Sequence, residues 1–134
     1  MRQLCAALLL LLNLASAAQA QGLGAQTIIC NKIQTSAVLS AGTFQIVVGN
    51  AGSLVHTCGY VFEGLAAGTV QLVYGTGASC TSSTPITSNY ATTATTLIVN
   101  HISNAFTSSL LGQSLCVIVT GTTSVMVDVY YAQP

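Results

Sequence analysis

Few side chains in this sequence could carry chemistry. Of 134 residues, two are basic, two acidic and two histidine, against five cysteines and five tyrosines. A hydrolytic nucleophile needs a base beside it and an acid to orient that base. Beyond residue 20 the only histidines are His56 and His101, the only acids are Glu63 and Asp128, and no serine sits in a G-x-S-x-G turn. Glycoside hydrolysis would have to use Glu63 and Asp128, which no local pattern brings within the required ~5–10 Å. His56, His101 and one carboxylate are acceptable metal ligands by type but lack a diagnostic spacing. Gly75-Thr76-Gly77 has neither the lysine nor the helix of a phosphate loop. The expectation is therefore no catalytic residue, no metal site and no cofactor, with His56 a satisfied, partly buried side chain.

The cysteines are more informative once the N-terminus is interpreted. Arg2, an apolar stretch from Leu4 to Leu14 and the small residues ending in Ala18-Gln19-Ala20 form the three-part pattern of a secretory signal peptide. Cleavage is expected before Gln21, giving a signal segment over 1–20 and one domain over 21–134. The apolar stretch falls well short of the roughly 20 residues needed to span a bilayer, so no membrane span is expected. Cys5 leaves with the signal. Cys30, Cys58, Cys80 and Cys116 remain, an even number in an exported chain, which favours two disulfides with three possible connectivities. Zinc is the weaker reading, because C-x-x-C pairs are absent.

Loss of Arg2 leaves Lys32, Glu63 and Asp128 as the only charged side chains of 21–134. Such a chain cannot neutralise a phosphate backbone, so nucleic acid is excluded as a partner. At 51% hydrophobic residues and a mean hydropathy of +0.71, the full sequence is also unlike a disordered chain. A surface this poor in ions resists association only weakly. Thr-rich strand faces can pack on copies of themselves without burying unpaired charge. The expected partner is thus a second copy of the chain, in a homo-oligomer or polymer.

The elements that must position these residues are strands. Short β-branched runs at 27–30, 43–48, 54–63, 69–74, 96–100, 115–120 and 124–131 are separated by Gly, Ser, Asn and Thr, the signature of an all-β sandwich or barrel. The expected fold is a single antiparallel β-sandwich, jelly-roll-like or immunoglobulin-like. Alternation places Leu54, His56, Cys58, Tyr60 and Phe62 on one face of the third run. It gives Val125, Val127, Val129 and Tyr131 to the core from the last run, with Asp128 facing outward. Residues 64–68 and 121–123 are read as hairpin turns, and the Ser/Thr-rich stretch 79–96 as a long surface loop. With a hairpin at Ala66, Cys58 would lie opposite Tyr74 and ~20 Å from Cys80, beyond the ~7 Å Cα limit for a disulfide. That geometry favours pairing Cys30 with Cys58 and Cys80 with Cys116.

Tyrosines supply the remaining candidate chemistry. Tyr90, Tyr130 and Tyr131 could offer stacking faces to a glycan or cell-surface partner, although the chain has no tryptophan.

The segments Ile29-Cys30, Val55-His56-Thr57-Cys58-Gly59-Tyr60, Gln71 through Cys80, Leu115-Cys116-Val117 and Tyr130-Tyr131-Ala132-Gln133 together resemble a group of small proteins from tailed phages and environmental bacteria. Those proteins often carry a signal-like N-terminus. The resemblance covers most of 21–134, departs at 81–96, and implies a β-sandwich used in virion-surface or cell-surface structures. Its implications are a structural or adhesive role, cysteines matching at Cys30, Cys58, Cys80 and Cys116, and no catalytic residues. With the N-terminal signal, the expected role is that of a self-associating extracellular subunit of a fibre, coat or appendage. A phage virion decoration or receptor-binding component and a glycan-binding module are the alternatives.

Overall fold

The computed structural model describes residues 27–101, 105–121 and 124–134, so the expected signal segment and its cleavage point lie outside the described residues. The strands are β1 (Lys32–Thr35), β2 (Gly42–Val47), β3 (His56–Gly64), β4 (Gly68–Thr76), β5 (Thr81–Pro85), β6 (Tyr90–Thr92), β7 (Leu97–His101), β8 (Thr107–Ser108), β9 (Gln113–Gly121) and β10 (Val125–Ala132). The later β-branched runs each seed a strand. The run 27–30 does not; the first strand forms just after it.

Pairing is antiparallel throughout and follows one rule. β1 joins β10, β2 joins β9, β3 joins β7 and β8, and β4 joins β5 and β6. The chain is thus a long ribbon whose two halves run side by side. The ribbon rolls up when β10 also pairs with β3 and β9 with β4. One sheet reads β1-β10-β3-β7, with β8 continuing the β7 edge, and the other β2-β9-β4-β5, with β6 on the β5 edge. If β5/β6 and β7/β8 each count as one edge, eight strands are arranged as a jelly roll. Of the two sandwich types expected, the topology selects this one.

The roll explains three departures from the local reading. Residues 64–68 join β3 to β4 in the opposite sheet. The expected hairpin at 64–68 is an arch between sheets, and β9 and β10, which the expected turn at 121–123 would pair, lie in different sheets, residues 122 and 123 being outside the described residues. The stretch 79–96 is not a free loop. Its threonines form β5 and β6, both paired with β4.

The core lies between the sheets. Tyr60, Phe62, Val125, Val127 and Val129 from the first sheet pack on Val70, Leu72, Tyr74, Leu115, Val117 and Val119 from the second. Alternation identifies Val125, Val127 and Val129 of this set from sequence; in β3 it breaks down, because the register shifts between Tyr130 and Tyr131 of β10. Cys58 is the extra residue of that bulge, so the core face changes parity, from Val55 before it to Tyr60 and Phe62 after it. His56 and Phe62 therefore do not share a face as expected. Tyr131 is half-buried against the core margin, short of the fully buried position its alternation suggests.

Thr57 and Tyr74 bridge the two sheets. The Thr57 and Tyr74 hydroxyls lie 2.8 Å apart, and Tyr74 donates in turn to the Thr107 carbonyl. Burial pushes the Tyr74 phenol above its ordinary value of 10.0, against the lowering effect of its Thr57 and Thr107 bonds. Tyr60 is raised too, first by burial and then by the Tyr90 hydroxyl. With folded-state values above the unfolded ones, these phenols contribute stability that is complete below pH 10 and lost as pH rises through the folded-state values. Urea midpoints at pH 9 and pH 11 should therefore differ, the higher pH being less stable, and Tyr74→Phe should reduce the difference. Equal midpoints in the unsubstituted protein would contradict the burial argument.

Candidate association surface

Of the residues singled out from sequence, Cys5 and the His101 side chain lie outside the described residues, and the others have definite positions. Cys30 bonds Cys58 with Cα atoms 6.0 Å apart, and Cys80 bonds Cys116 at 6.3 Å. The pairing is the one expected, but its reason differs. Cys58 and Tyr74 sit in opposite sheets instead of one hairpin, and Cys80 reaches β9 by a turn folded back on β4. That turn needs Gly75, where a Cβ would stand 2.7 Å from the Cys80 carbonyl oxygen.

The tyrosines do not form one platform. Tyr90 lies over the edge of the core, its hydroxyl 2.8 Å from that of Tyr60 and its ring centroid 6.0 Å from Phe62. Its ring is half-buried and packs against the margin of the core. Tyr130 and Tyr131 are neighbours on β10 and point to opposite faces. Tyr131 lies beside the cation Lys32, whose Nζ is 5.9 Å from the ring centroid and donates to the Gln133 carbonyl at 3.0 Å. His56 is buried and its Nδ1 lies 2.6 Å from the Ser108 hydroxyl, a bond that ties β3 to β8. Among the described residues no group of three or more His, Cys, Asp or Glu could hold a metal.

The two acids do come together. Met126 stands opposite Glu63 and Asp128 opposite Val61, so the carboxylates are diagonal neighbours on the outer face of the first sheet. No sequence pattern signals this, because it depends on the β3–β10 register. Glu63 borders an open depression of about 250 Å³ that it shares with Gly64, Thr96 and Leu97, and Asp128 does not line it.

That outer face differs from its counterpart. On the first sheet, Ile33, Tyr130, Val61, Val99, Met126 and Leu97 surround the two acids, with Ile33 60%, Val99 60% and Leu97 64% exposed. On the second sheet, Thr43, Gln45, Thr69, Gln71 and Thr120 line the outer face, and the Cys80–Cys116 bridge covers its apolar residues Val73 and Ile118. One face is neutral and hydrogen-bonding, the other apolar with a fixed pair of negative charges. Sequence reading missed this asymmetry, since a short run such as Leu97–His101 reads the same at a sheet's centre and at its edge.

No family model, curated protein or solved structure matches the chain.

Proposed function

We propose that the domain is an exported, non-enzymatic structural subunit that works by associating with copies of itself. The observation carrying this reading is the set of exposed apolar side chains on the outer face of the first sheet, Leu97 and Val99 on its β7 edge and Ile33 on its β1 edge, on a chain with almost no ionic groups to keep copies apart. Two disulfides are compatible with an extracellular setting, where such bonds persist. The signal-like N-terminus supports export. Jelly rolls also build viral capsid domains and lectins, an analogy of fold alone that is consistent with assembly.

The test is the mass of the oxidised protein recovered from expression of the full chain. Light scattering on a size-exclusion column should give a mass that rises with loading concentration. A constant monomer mass up to millimolar protein would overturn the proposal. Saturable binding to a glycan array that Tyr130→Ala abolishes would favour the lectin-like alternative instead.

A further inference from the structure

We infer that two copies of the chain join along β7, edge to edge and antiparallel about a two-fold axis through Val99. The inference rests on the self-association reading and names its surface.

Each sheet has two edges, and only one lacks protection. Edge strands that avoid pairing do so with charges, prolines, bulges or shortness. β1 carries Lys32. β2 carries a register shift between Gln45 and Val47. β5 contains Pro85 and Ser82 at φ 50°, and β6 has three residues. β7 runs Leu-Ile-Val-Asn-His without charge, proline or register shift, and no other described strand pairs with its outer side.

Its backbone is set for a partner. The Thr96 carbonyl accepts from the Gly64 amide of β3. Antiparallel alternation then turns Ile98 and Asn100 toward β3, and the N–H and C=O groups of Leu97, Val99 and His101 outward. A copy rotated about Val99 places Val99 opposite Val99 and Leu97 opposite His101, and the outward groups of both strands form complete hydrogen-bonded pairs. The two first sheets become one, and the exposed Leu97 and Val99 of each copy lie beside those of the other.

Charge decides between this edge and the broad face. Stacking two outer faces would confront two Glu63 and two Asp128 carboxylates with no cation of that face between them, a costly burial. In the edge pair the strands meeting are uncharged. Each Glu63 lies about three strand spacings and four residues of offset from its mate, roughly 20 Å by ordinary sheet dimensions. That exceeds the ~8 Å Debye length at physiological salt, so the acids do not oppose the contact. Five-residue edges bury less than the ~1,200 Å² of a standard interface, so the contact should be reversible.

Sedimentation velocity on the oxidised protein from the full chain, over a concentration series, tests the inference. Val99→Lys sets two cations opposite each other and should weaken dimerisation about tenfold or more. Val99→Pro deletes only the outward N–H and should weaken it as well, since proline is tolerated where a strand's N–H faces away from its sheet. Thr43→Lys, on the outer face of the second sheet, should leave it unchanged. Near-ultraviolet circular dichroism verifies that each variant is folded. In the unsubstituted protein, hydrogen exchange at the Leu97, Val99 and His101 amides should slow as concentration rises. Association that persists equally in folded Val99→Lys, or exchange at those amides that ignores concentration, would overturn the β7 contact and leave the self-association reading standing. A monomer at every concentration would overturn both.

Discussion

Replacing Cys80 and Cys116 together by alanine is expected to lower the thermal unfolding midpoint by about 15 °C. The bridge closes a 36-residue separation, and the chain-entropy relation assigns such a loop about 4 kcal/mol. For a domain near this length, 1 kcal/mol corresponds to about 4 °C. The effect should not be softened by solvent, since Cys116 is fully buried and Val73 and Ile118 pack around the bridge. Calorimetry on the paired variant checks this, and a change below about 3 °C would mean that the pairing of β4 with β9 already restrains the turn. The Cys30–Cys58 bridge spans a similar separation of 28 residues. Reducing both should remove about 7 kcal/mol, within the 5–15 kcal/mol that separates folded from unfolded domains. A thiol reductant alone should therefore bring the protein close to unfolding at 37 °C.

Phe62→Ala is expected to cost about 4 kcal/mol. Its side chain is fully buried in the middle of the first sheet, between Val127 of β10 and Ile98 of β7. The ring stacks on Tyr60 with centroids 4.7 Å apart, so truncation removes an aromatic contact as well as leaving a cavity. Phe62→Leu keeps most of the volume and should cost less than about 1.5 kcal/mol. Urea titrations should show midpoints falling in that order with an unchanged slope. Equal losses for the two variants would mean that the stacked ring, and not filled volume, dominates at this position.

What sequence made legible was the part of the fold carried by neighbours in the chain. Alternation in β10 identified Val125, Val127 and Val129 as core and Asp128 as outward, because each choice depends only on residues two apart. The β3 reading failed at Cys58, where the bulge follows from how β10 lies alongside and from nothing in β3 itself. The arch at 64–68 reads as a hairpin from sequence because a glycine-bounded turn has the same chemistry in both, and only nonlocal pairing puts β9 and β10 in different sheets. β1 was missed for another reason: all four of its residues are exposed, so Lys-Ile-Gln-Thr carries no hydrophobic period. The candidate surface was the least legible. Ile33, Leu97 and Val99 come to share one outer face, and Glu63 and Asp128 become a pair, only through registers spanning up to about a hundred residues.

The Cys30–Cys58 bond also determines how the domain would bear tension. A pull applied at residue 30 bypasses β1 and enters directly at the start of β3. A pull at the C-terminus enters β10 at Ala132, which stands opposite His56 at that same end of the β3–β10 ladder. Load between the two points therefore opens that ladder one rung at a time, as a zipper, instead of shearing its rungs together. A filament strung through its chain ends would yield at low force, whereas one joined laterally would spare this seam.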